Sequence, residues 1–168
     1  MASGQTLLHF ESSDATAPRP DYVAATPDVR NGHPVLDFDA VQHEYAEFNG
    51  MLPRHYGGAG ITFMFVWSAT LATSGQIVWA VQFERNAVID GDIENFGPWA
   101  GSAEVLTSPE PGVPTYTDVV VAPAGLGGIL PGEHFRIRVA RYVDYPPGYT
   151  PPPFVGDAEL WSIELRET

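Results

Sequence analysis

The chain has 168 residues, 44% of them hydrophobic and 17% charged, the composition of one medium globular domain with a core of its own. A net charge of −13 with eight basic residues, all arginine, excludes the cationic surface that nucleic acid needs, and the lack of lysine excludes Schiff-base and P-loop chemistry. Cysteine is absent, which removes disulfides and thiolate chemistry, and no apolar run approaches the roughly 18 residues of a membrane helix.

In chain order, the start lacks the basic and apolar regions of a signal peptide. Leu7-Leu8-His9-Phe10 reads as a short strand, and Pro18, Pro20 and Pro27 forbid a helix around it. Residues 1–32 are therefore expected as an extended N-terminal arm, and residues 33–168 as the folded domain. Ordering such an arm costs about 1 kcal/mol or more per residue in backbone entropy, so it should lie against something. Leu7, Leu8, Phe10 and Tyr22 are its apolar anchors, and Arg19 and Arg30 its charged ones.

Strand signals are dense from residue 33: His33–Phe38, Glu44–Phe48, Ile61–Ala69, Ile77–Arg85, Tyr116–Ala122, His134–Val143 and Glu159–Leu165. Val41–Phe48 has a helical alternative, since Val41, Tyr45 and Phe48 would share a helix face. Ile61, Phe63, Phe65, Trp67 and then Ile77, Trp79, Val81, Phe83 alternate strictly, the pattern of two strands joined as a hairpin. The expected fold is all-β, a two-sheet antiparallel sandwich of the jelly-roll kind. Tyr145–Phe154, "YPPGYTPPPF", reads as a displayed Pro-rich loop.

The other face of that pair, Thr62, Met64, Val66 and Ala80, is mildly apolar where solvent would favour charge. It is expected to meet a second copy, in a homotrimer. Arg136 and Arg138 project from one face of a later strand, to meet either acids on a neighbouring strand or a partner. Trp67 and Trp79 hold the core register, whereas Trp99, in "FGPWAGS", is the aromatic best placed to stack on a glycan. Asp90, Asp92 and Glu94 alternate as calcium ligands would, without the glycine and twelfth-position glutamate of an EF-hand. No pair of histidines has metal spacing, and no nucleophile motif or singled-out carboxylate pair marks an enzyme. No catalytic residue, metal or cofactor is expected.

Three segments in order carry a resemblance: "EYAEFNGMLPRHYGGAGITFMFVWSATLATSGQIVWAVQFE", "GEHFRIRVARYVD" and "GDAELWSIEL", across about residues 44 to 165. They resemble a family of small virion proteins of tailed bacteriophages. The resemblance implies a β-sandwich displayed on a phage head or tail. The function expected from it is a non-enzymatic capsid decoration (cement) protein. It would be made in the host cytoplasm, bind the major capsid protein on the head surface and stabilise the shell by mass action. The alternative is a tail-fibre or spike module, or a carbohydrate-binding module, that recognises host glycan.

Overall fold

The computed structural model describes residues 4–71, 74–86, 94–101, 104–105 (backbone only), 110–144, 147, 153 and 155–168. Strands dominate, in chain order: β1 (Thr6–Glu11), β2 (Thr26–Arg30), β3 (His33–Phe38), β4 (Tyr45–Met51), β5 (Ile61–Ala69), β6 (Gln76–Ile77), β7 (Trp79–Arg85), β8 (Ala100–Gly101), β9 (Glu104–Val105), β10 (Thr115–Val121), β11 (His134–Arg141) and β12 (Ala158–Glu167). One sheet runs β10-β5-β12-β3-β2, with β1 also paired to β12; the second runs β4-β11-β7-β8; β6 and β9 form a small ribbon. Every pair of strands is antiparallel. The expected all-β jelly-roll sandwich is the fold.

Period-two alternation explains the core. Phe63, Phe65 and Trp67 from β5, Trp79, Val81 and Phe83 from β7, and Phe135 and Ile137 from β11 are all buried. Phe65 stacks on Trp79 between the sheets at 5.3 Å, and the Trp67 indole N–H donates to Thr117 Oγ1 at 2.9 Å. The alternating faces were thus read correctly, but their pairing was not. β5 and β7 do not form a hairpin: β5 lies between β10 and β12, and β7 between β11 and β8. Alternation specifies which face is buried, not which strand lies alongside; here both apolar faces point at each other across the sandwich.

The boundary expected between residues 32 and 33 is also corrected. Asn31 and Gly32, with φ of 47° and 82°, form the two-residue turn of a β2–β3 hairpin, closed by Arg30 opposite His33. β1 pairs with the second half of β12, where β3 has left off, past a register shift at Trp161. Leu7 and Phe10 join the main core, and Leu8 packs against it. The N-terminal segment, with two strands and a single 3₁₀ turn at Ser12–Asp14, is part of the sandwich.

Between β1 and β2 the chain forms a strap over the free edge of β4. It is tied by Thr16 to Glu47 at one end and by Val23 and Ala25 to Tyr45 at the other. This strap carries Arg19 and Tyr22 to the outer face of the second sheet.

Candidate functional site

On that outer face, β4 presents Tyr45 and Glu47, β11 presents Arg136, Arg138 and Ala140, and β7 presents Ala80, Gln82 and Glu84. The register sets Glu47, Arg138 and Gln82 in one row, and Tyr45, Ala140, Ala80 and Gly101 in the next. The first row begins a charge lattice. Arg138 donates from Nε and Nη2 to Glu47 Oε1, at 2.9 and 2.7 Å, and from Nη2 to Glu94 Oε1 at 2.7 Å. Arg136 donates to Glu47 Oε2 at 3.1 Å and to Glu84 Oε2 at 2.7 Å, while Glu84 Oε1 accepts the Asn95 N–H at 2.6 Å.

Arg138 is 3% exposed. Burial alone would lower its pKa; the bonds and charges of Glu47 and Glu94 outweigh that and raise it. Its guanidinium is also covered on its faces, by Tyr22 at 4.2 Å and Phe96 at 4.3 Å, and Phe96 reaches Arg136 at 4.7 Å.

The second row is nearly bare of side chains, and this gives room to aromatic rings. Tyr45 at the start of β4 and Trp99 just before β8 belong to opposite edges of the sheet. Their rings still approach to 6.1 Å, because only Ala140 and Ala80 lie between their strands. Tyr22 meets Tyr45 edge-on at 5.2 Å. Burial first, and then Tyr22, raises the Tyr45 phenol above its usual range, so its O–H stays protonated as a donor.

These side chains line a pocket of about 280 Å³: Tyr22, Tyr45, Gln82, Glu94, Phe96, Trp99 and Arg138. Gln82 Nε2 donates to Gly97 O at 3.1 Å, which steadies the loop that carries Phe96 and Trp99. Among the described residues no protein group engages Arg138 Nη1 or Gln82 Oε1, so the floor keeps a donor and an acceptor for a ligand. Among the described residues, Glu94 Oε2 meets the Arg19 guanidinium alone, at 3.8 Å.

Of the residues singled out in the sequence, Arg138, Tyr22, Trp99 and Glu94 thus converge, with Arg19 and Arg136 beside them. The acids on Arg136 and Arg138 come from both neighbouring strands and from the loop. Others separate. Leu7 and Phe10 are core residues and offer no partner surface. Arg30 donates to Glu159 at 2.5 Å on the outer face of the other sheet.

Thr62, Met64 and Val66 lie on that other outer face, and Ala80 on this one, so the single face expected to join a second copy does not exist. The cause is the passage of the chain from one sheet to the other between β5 and β7. Asp90 and Asp92, and most of the Pro-rich loop at 145–154, lie outside the described residues. Glu94 is held by Arg138, and among the described residues no three metal-ligating side chains converge. Tyr45, Gln82, Phe96 and Glu47 were missed. For Tyr45 and Glu47 the signal was the outward period of the expected strand Glu44–Phe48; Gln82 on β7 and Phe96 in a loop carried none.

No family model matches the chain, and no curated protein matches it. Among solved structures, a CBM22 xylan-binding domain from Paenibacillus barcinonensis is similar at a TM-score of 0.50 and 12% identity, covering 99% of this chain and 96% of that one. An exo-β-1,3-galactanase from Phanerochaete chrysosporium aligns with 98% of the chain at 14% identity and a TM-score of 0.47; the chain spans 30% of that enzyme's length. A CBM28 module specific for non-crystalline cellulose aligns at 15% identity and a TM-score of 0.43, covering 99% of this chain and 96% of its own. At 12% identity the likeness to the xylan-binding domain is one of fold alone.

Proposed function

We propose that this sandwich is a non-catalytic glycan-binding module and that the pocket beneath Tyr45 and Trp99 is its ligand site. The observation that carries the reading is the pairing of exposed aromatic surface with a rigid polar floor. Sugars present apolar C–H faces, which stack on rings, and hydroxyls, which need both donors and acceptors. Arg138 Nη1, Gln82 Oε1 and Glu94 Oε2 supply such groups, and the charge lattice holds them in place before a ligand arrives. The carboxylates here are bonded to arginines and do not face each other across open space as a hydrolytic pair does.

The test is calorimetric titration with soluble xylan, β-1,3-galactan and a soluble cellulose derivative, chosen from the binding partners of the fold's neighbours, followed by a wider glycan array. Binding to at least one glycan, lost about tenfold or more in Trp99→Ala, supports the reading. Binding to none, or binding indifferent to Trp99→Ala and Tyr45→Ala, overturns it. The capsid-decoration role implied by the sequence resemblance is tested alongside, by co-sedimentation with undecorated phage heads. Head binding untouched by Trp99→Ala would favour the cement role over the glycan one.

A further inference from the structure

We propose that the ligand is a chain of sugars, and that His43 and Tyr142 form a second contact station for it outside the pocket; this rests on the glycan-binding reading above. The pocket itself is small. At about 280 Å³ it lies at the small end of ligand sites, room for about one sugar unit.

The aromatic surface does not stop at the pocket. From Trp99 and Tyr45 it continues to His43, whose ring lies 6.4 Å from Tyr45 with the planes only 18° apart. Tyr142 follows, 6.2 Å from His43 and tilted by 63°, an end wall to the row. Tyr142 and Trp99 at the two ends are 42% and 44% exposed.

The strand register explains the alignment. Tyr142 comes just past the end of β11, two positions after Ala140, and His43 just before β4, two positions ahead of Tyr45. Both therefore stand on the side of Tyr45 away from Arg138, and a ligand rooted on Arg138 reaches them only by passing the Tyr45–Trp99 wall. Asp144 meets His43 Nε2 at 2.7 Å, at the ring edge, which leaves the imidazole faces open. The Tyr142 N–H donates to Val78 O at 2.9 Å, which ties the root of that side chain to the sheet. A row of rings at steps of 6.1–6.4 Å offers contacts to successive units of one chain and exceeds what a single sugar needs.

The experiment titrates the full chain with β-1,4-xylo-, β-1,4-gluco- and β-1,3-galacto-oligosaccharides, from the monosaccharide to the hexasaccharide. In the series that binds, affinity should rise about tenfold from monosaccharide to longer chains. His43→Ala and Tyr142→Ala should each erase that gain and leave monosaccharide binding unchanged, whereas Trp99→Ala weakens every length. Circular dichroism melts confirm that the variants are folded, and the two substitutions cross-check each other. Affinity independent of length, or a length gain that survives both substitutions, overturns the second station and leaves the pocket standing. Failure of every series to bind overturns the station and counts against the pocket as well.

Discussion

The two outer faces of the sandwich share one core and differ in how they treat charge. On the β4-β11-β7 face, Arg138 is buried, ion-paired to two carboxylates and covered by two rings. On the β10-β5-β12 face, Arg166 lies 3.6 Å from Glu164 with both side chains about a quarter exposed, beside Met64. Sequence alone makes the two arginines look alike, each on an alternating strand with an acid in reach. The difference comes from what crosses the face. The strap with Tyr22 and the loop with Phe96 lie over Arg138, while β10 leaves Tyr116 and Val120 exposed on the other side. A face becomes a site where loops from outside the sheet fold back across it.

Substitution sharpens this contrast. The largest effect is expected for Arg138→Met, which leaves buried Glu47 with Arg136 as its remaining cation and Glu94 with the more distant Arg19. Breaking a buried pair costs about 3–5 kcal/mol, read as a lower midpoint in urea unfolding. A loss similar to that of a surface arginine would mean that the lattice is solvent-screened after all.

A middle-sized effect comes from Asp37 on the opposite face. Burial first, and then Glu159, Asp28 and Asp157, push its carboxyl up to about 6. A carboxyl raised in the folded state favours the protonated form. Its contribution to stability is therefore complete below its ordinary value near 3.8 and is lost as pH rises through about 6. Asp37→Asn should accordingly stabilise the protein at pH 7 by about 1–2 kcal/mol after solvent screening, and change little at pH 4. Thermal melts across that range check it, and a difference that does not vary with pH would refute the assignment. The smallest effect is expected for Arg166→Ala, below about 1 kcal/mol, with glycan binding unchanged. A larger loss would place more structure on that face than its contacts suggest.

The strands were legible because the buried residues sit at every second position, and His33–Phe38 and Ile61–Ala69 match the structure residue for residue. Partners were not legible. Nothing in the alternation of β5 distinguishes a neighbour in its own sheet from Trp79 stacked across the core. The prolines excluded a helix but did not reveal β2: Pro27 sits in a strand at the edge of its sheet, where a missing N–H is tolerated. The Asn31-Gly32 pair was the overlooked hairpin signal. In the site, Trp99 stood out by its loop context. Tyr22 was noticed as an anchor, but its place over Arg138 was not legible, because its ring reaches Arg138 through a strap whose course depends on two ties to β4.

β12 is made by the ribosome after every other strand of the sandwich, yet it occupies the middle of its sheet, between β5 on one side and β3 and β1 on the other. Thr6 waits for Arg166, and Phe10 for Ile163. Until that strand emerges, β1 has no partner and β5 has one edge open, so the sheet cannot be completed in order of synthesis. Contacts between such distant parts of a chain close slowly, and exposed strand edges on an unfinished sheet invite pairing with other chains. The nascent protein is thus most vulnerable to aggregation late in its synthesis. A stall or truncation just before Ala158 would leave a β-rich intermediate in place of a shortened native domain.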